Sequence, residues 1–153
     1  MSVLARIRQY PINDVSTDVE DPPRLDAPDG AAGGGPEMTE KRRKKVQRGY
    51  PELLGGLVLA LPPKEAFALA EARARAQSGW NVRRVEPGQG MLTAVAVTLL
   101  LRFKDDLTVR VRPQAAGSRV DVRSRSRVGR DDLGANAARI HRFFRDLQAA
   151  QPH

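Results

Sequence analysis

Hydrophobic and polar positions become readable as a pattern at Gly55. Leu57, Leu59 and Leu61 alternate with Val58 and Ala60, which predicts a short strand that Pro62-Pro63 stops. Pro63 then opens a helix running to about Ser78, with Phe67, Ala70 and Ala74 on one stripe and Gly79 at its end. Trp80, Val82 and Arg84 share the next strand face, and Pro87-Gly88-Gln89-Gly90 is a turn. A long strand over 91–103 follows, with Val95, Val97, Leu99, Leu101 and Phe103 along one face, and Lys104-Asp105-Asp106 makes the tight polar connection out of it. Leu107, Val109 and Val111 then point one way while Thr108, Arg110 and Arg112 point the other, and Gln114 to Ser118 turns the chain back. The last strand sorts by the same parity. Val120, Val122, Ser124, Ser126 and Val128 share one face; Arg119, Asp121, Arg123, Arg125 and Arg127 share the other. Asp132 or Asp131 caps a final helix whose apolar stripe is Leu133, Ala137, Ile140, Phe144 and Leu147, ending near Ala149.

The order is therefore β-α-β-β-β-β-α. A meander with one apolar face and two amphipathic helices predicts an α+β two-layer sandwich, an antiparallel sheet of about five strands packed against two helices. The alternation places the first strand at neither edge in particular. Residues 1–49 lack such periodicity: Asp21-Pro22-Pro23, Ala27-Pro28-Asp29-Gly30 and Gly33-Gly34-Gly35-Pro36 interrupt any regular element, so this part reads as an extended, largely disordered leader. The basic run Lys41-Arg42-Arg43-Lys44-Lys45 with Arg48 sits at its end, where Met38 to Gln47 also fits a short solvated helix. A single α+β domain is expected over 50–150.

Charge divides unevenly between these parts. Residues 1–40 carry eight acids against three bases, and residues 41–153 carry 23 bases against ten acids. Such a basic domain suits an anionic partner: nucleic acid, lipid headgroups or its own leader. The chain has no cysteine, which excludes disulfides, thiolate metal sites and cysteine nucleophiles. It contains no run of about 18 apolar residues that would span a bilayer, and Met1 to Tyr10 lacks the apolar stretch of a signal peptide.

The meander brings Lys104-Asp105-Asp106 to the same end of the sheet as Arg127 and Arg130. The start of the last helix adds Asp132, Asn136 and Arg139 there. Ser124 and Ser126, on the core face, mark where that face turns polar. Two carboxylates, several guanidiniums and an amide at a helix N-terminus suit an anionic ligand. The same groups fit a structural lock in which Arg127 or Arg130 pairs with Asp105 or Asp106 while Asp132 caps the helix, and the residue types favour the lock. No catalytic constellation stands out. His141 and His153 have no partner motif, adjacent strand-turn carboxylates diverge, and no cluster suits a metal or cofactor. Arg110, Arg112, Arg119, Arg123, Arg125 and Arg127 form a broad basic sheet face, but it lacks the interleaved aromatics of a single-strand reader.

Several motifs together carry a family resemblance. They are Pro62-Pro63-Lys64-Glu65-Ala66-Phe67, Gly79-Trp80, Phe103-Lys104-Asp105-Asp106, the continuous run Ser124 to Ile140, and Asn13-Asp14-Val15-Ser16-Thr17-Asp18 with Asp21-Pro22-Pro23. In these the chain resembles the domain of unknown function 1499 family over nearly its whole length. The resemblance implies a bacterial cell-envelope setting, membrane-associated or periplasmic, because members often carry hydrophobic segments ahead of this leader. Here Met1 stands just before it, which predicts a soluble variant or an earlier start. The expected function is a non-catalytic, membrane-proximal domain that binds an anionic ligand, a lipid headgroup or a protein partner. Nonspecific nucleic-acid binding through the basic sheet face is the second reading.

Overall fold

A computed structural model describes residues 11–98 and 101–152. In chain order it comprises β1 (Asp14–Ser16), α1 (Glu40–Gly49), β2 (Leu57–Leu59), α2 (Pro63–Ala76), β3 (Trp80–Glu86), β4 (Met91–Val97), β5 (Lys104–Gln114), β6 (Gly117–Ser126) and α3 (Ala135–Ala150). The architecture is α+β, an open six-stranded antiparallel sheet packed against helices, with β3 to β6 as a meander. Its free edge is shared: β1 pairs with the end of β6 across Arg123 to Arg125, and β2 pairs with its start across Ser118 to Val120. This places the strand at Leu57, which parity alone left at either edge. Gly56 lets β2 approach so closely, since a Cβ there would collide with the Val120 carbonyl and Asp121, and its φ is +65°.

The helix-facing side of the sheet is apolar as the alternation requires. Leu92, Ala94, Leu107, Val109, Val111, Val120 and Val122 are buried against Phe67 and Ala70 of α2 and Ile140, Phe143 and Leu147 of α3. Trp80 closes this layer with its ring centroid 5.2 Å from that of Phe143. Pro63 does open its helix, which ends at Ala76, two residues short of the expected Ser78.

Three expectations change. The strand expected over 91–103 stops at Val97, because Thr98 closes a turn: its N–H donates to the Phe103 carbonyl, and its carbonyl accepts from the Arg102 N–H. Lys104, Asp105 and Asp106 are thus the first residues of β5 rather than the connection, and Leu101 and Phe103 are exposed rather than facing the core. Leu99, assigned to the same strand face, lies outside the described residues. A bulge between Val82 and Arg84 sends Arg84 to the opposite face from Trp80 and Val82. Leu133 leaves the α3 stripe, its backbone left-handed at φ 52° and its side chain exposed, and Asn136 and Phe143 take the buried positions instead.

The leader keeps its expected irregularity but not its expected independence, and residues 1–10 of it lie outside the described residues. Residues 17–38 form no helix or strand, yet they lie across the second face of the sheet. Ile12, Val15, Val19, Leu25 and Met38 are buried, and α1 buries Val46. Acids of the leader meet arginines of the sheet. Asp14 takes a two-pronged bond from Arg123 at 3.0 and 2.8 Å and another from Arg125 at 3.2 Å. Asp18 accepts from Arg110 at 3.2 Å and Arg112 at 2.9 Å. Asp26 accepts from Arg84 at 2.6 and 3.2 Å and from Thr93 at 2.7 Å. The arginine face is a covered layer, and irregular backbone holds there because its carbonyls also find donors: Arg123 reaches Pro36 and Arg110 reaches Asp21.

This attachment makes the leader acid-sensitive. Burial pushes the Asp18 carboxyl up, but the Asp21 N–H and the guanidiniums of Arg112, Arg119 and Arg110 outweigh it and hold the group below its usual 3.8. Burial likewise opposes, and Arg84, the Gly33 N–H and Thr93 overcome, the shift at Asp26. Both pKa values are lower folded than unfolded. Their stabilisation is therefore complete above the ordinary carboxylate range and is lost as pH falls through the depressed values. Amides of residues 17–37 should lose exchange protection below about pH 4 while those of β5 and β6 keep theirs. Protection of residues 17–37 that persists as pH falls until β5 and β6 lose theirs would contradict this.

Candidate functional site

The sheet divides the residues that the sequence gathered at its end. Asp105, Ser124 and Ser126 face α3, whereas Asp106 and Arg127 sit on the leader face. On the α3 side the polar groups saturate one another. The Ser124 hydroxyl donates to Asn136 Oδ1 at 2.6 Å, and Asn136 Nδ2 donates to Ser126 Oγ at 2.9 Å and Asp132 Oδ2 at 2.6 Å. Arg139 donates to Ser124 Oγ and Asn136 Oδ1 and forms a 2.7 Å ion pair with buried Asp105. Asp132 also accepts from the N–H groups of Gly134 and Asn136, capping the start of α3. Burial raises the Asp132 pKa against these donors, because its carboxylate is held away from water. On the other face Arg127 grips Asp106 with two bonds of 3.0 and 2.8 Å, and the Asp106 hydrogen bond raises the Arg127 pKa. These groups therefore lock the end of the sheet to α3 and to β1, whose neighbour Asn13 accepts the Ser126 N–H.

Lys104 and Arg130 stand apart from the lock. Both are exposed, and neither forms an ion pair among the described residues. His141 is half-exposed, 3.7 Å from Glu52.

What the sequence reading missed lies just outside the lock. The pairing of Asp105 with Ser126 continues through the Arg127 N–H to the Lys104 carbonyl, so Phe103 and Val128 emerge side by side. Leu101 on the same turn and Leu133 in the loop before α3 are exposed as well, Leu133 at 73% and Leu101 at 70%. Val58, the other large apolar side chain exposed among the described residues, lies back along β6 opposite Arg119. Arg102, Lys104 and Arg130, next to these residues in the chain, are exposed too. Arg102 and Leu133 both hold left-handed backbone at φ 52°, which costs a non-glycine residue about 1–2 kcal/mol. The signal was present as Leu-Arg-Phe-Lys and Arg-Val-Gly-Arg, but strand parity assigned its apolar members to the core.

Fold and site together define an α+β domain whose buried charges hold leader, sheet and helix together, with exposed apolar side chains on the segments that precede β5 and follow β6. The chain belongs to the family described as Protein of unknown function (DUF1499), which matches residues 14–147 and so includes the leader from the first residue of β1. No curated protein matches it in sequence. Among solved structures it is similar to CalU16 from Micromonospora echinospora, at 12% identity and a TM-score of 0.43, over 61% of this chain and 73% of that one. It is also similar to TTHA0849 from Thermus thermophilus, at 12% identity and a TM-score of 0.35, over 63% of this chain and 96% of that one. Among the described residues no helix is long and apolar enough to cross a membrane.

Proposed function

We propose that this is a non-catalytic, membrane-proximal domain that docks peripherally on an anionic bilayer through the two loops at the end of the sheet. One observation carries the reading: Leu101, Phe103, Val128 and Leu133 are exposed on the segments that precede β5 and follow β6, with exposed Arg102, Lys104 and Arg130 next to them in the chain. Exposed apolar groups gathered in one place mark an interaction surface. Cations around them fit lipid headgroups, each worth roughly 1 kcal/mol beside an anionic leaflet, so three support binding only together with apolar insertion. The second reading, nucleic acid on the basic sheet face, loses its surface because Arg110, Arg112 and Arg123 bond to the leader.

Co-sedimentation with phosphatidylglycerol vesicles tests the proposal. The full chain should bind, more weakly at high salt and not to pure phosphatidylcholine. Leu101→Asp with Leu133→Asp should reduce binding at least tenfold with an unchanged melting temperature, both side chains being exposed. Absence of binding to anionic vesicles at low salt, or binding that survives the double substitution, would falsify it. Mixed-sequence DNA that displaces the vesicles from an undiminished double variant would favour the second reading.

A further inference from the structure

A separate feature runs along the outer side of α3. Between that helix and the segment joining α1 to β2 lies a groove of about 700 Å³, within the range of small-ligand sites. It extends from Gly134 to Gln148, about 21 Å at the helical rise. Leu53, Leu57, Ala137 and Phe144 form the apolar floor, and Ala138 keeps it open from the helix side. Arg142 and Arg145 stand on the rim, exposed and without a carboxylate partner among the described residues.

This combination is distinct from the lock and from the loop surface. A long apolar trough rejects a compact polar anion such as free phosphate, whose hydration it cannot replace. Glu52 is the one carboxylate in the lining and lies 3.7 Å from His141, so the two guanidiniums leave the rim positive; that disfavours a cationic amphiphile and suits a carboxylate or phosphate head, to which arginine donates in a planar fork. An acyl chain along the floor with its head against the rim satisfies both parts.

We infer that the groove binds one acyl chain of an anionic amphiphile, with the head group held by Arg142 and Arg145. The site stands independently of bilayer docking, since a monomeric amphiphile in water presents the same chemistry. The Gly134 end adjoins Leu133, so a docked molecule would hold one end of the groove near the lipid surface.

Dodecanoate below its micellar concentration is the probe, measured by isothermal titration calorimetry on the full chain. One molecule should bind per chain, and dodecyltrimethylammonium, with the same tail and opposite head, should bind at least tenfold more weakly. Arg142→Ala with Arg145→Ala should weaken dodecanoate at least tenfold. Ala138→Trp should abolish binding by filling the trough; Gln148→Trp, at its far end, serves if that variant does not fold. Vesicle docking through the loops should survive all these changes, so failure of either proposal is read separately. The inference is overturned if dodecanoate does not bind, if both amphiphiles bind equally, or if binding persists in the tryptophan variants. It is also overturned if the groove proves to join two copies of the chain, seen as a dimer in sedimentation that Ala138→Trp dissociates.

Discussion

Asp14→Ala should destabilise the protein by about 3–5 kcal/mol, the cost of leaving one member of a buried ion pair without its partner. Asp14 is fully buried, and Arg123, its two-pronged partner, is only 2% exposed. Arg123 would keep the carbonyls of Pro23 and Pro36, but no carboxylate would balance its charge. Arg125 would lose the same acceptor. Domains of this size are stable by about 5–15 kcal/mol, so the variant should unfold at a much lower urea concentration and lie near the limit of folding. Asp14→Asn keeps the volume and removes only the charge, and it should cost nearly as much. Glu20→Ala is the control: its carboxylate is exposed, 3.7 Å from Arg43, and should matter by less than about 0.5 kcal/mol. An Asn variant as stable as the native chain would show that shape rather than charge holds β1 in place. A loss under about 1 kcal/mol for both substitutions would mean that water replaces the carboxylate.

The result also bears on what the sequence could reveal. Strand parity placed Ser124 and Ser126 toward the helix and Arg119, Arg123 and Arg125 opposite, and the register confirms that division. Parity states which residues share a face and nothing about what covers it. The arginine face read as a broad basic surface because its cover is irregular chain with neither period. Its aspartates at 14, 18 and 26 follow no regular spacing, since each meets a different strand. The opposed charges of residues 1–40 and the rest were the available signal, and they named the leader only as one anionic partner among several.

Length was the second limit. Val95, Val97, Leu99, Leu101 and Phe103 share one parity, so periodicity carried the strand six residues past its end at Val97. Nothing in an alternating pattern separates apolar side chains facing a core from the same side chains exposed on a turn. The lock was legible in its residue types and its place, because antiparallel geometry brings both ends of a hairpin pair together. Two of its connections, Arg127 with Asp106 and the Asp132 cap, were among those expected; the ones through Asn136 and Arg139 were not, as they depend on Asn136 pointing inward from α3.

That amide makes the second large effect. Asn136 is fully buried and uses both ends: its oxygen accepts from Ser124 and Arg139, and its nitrogen donates to Ser126 and Asp132. Asn136→Ala would leave the Ser126 hydroxyl and one Asp132 oxygen without that donor in a buried setting, a loss of about 2–3 kcal/mol. Asn136→Asp discriminates further. It puts a second carboxylate 2.6 Å from Asp132, where only a donor is tolerated. Two buried carboxylates at that distance share a proton, so their folded pKa rises above the unfolded value, adding to the upward shift that burial already imposes on Asp132. A raised folded pKa contributes stability below the unfolded pKa, and that contribution disappears as pH rises through the folded value. Chemical denaturation midpoints for Asn136→Asp should therefore fall as pH rises above the ordinary carboxylate range, and more steeply than those of the native chain. A parallel shift of both proteins would mean that Asp132 can turn away to solvent, and that the lock rests on Arg139 with Asp105 instead.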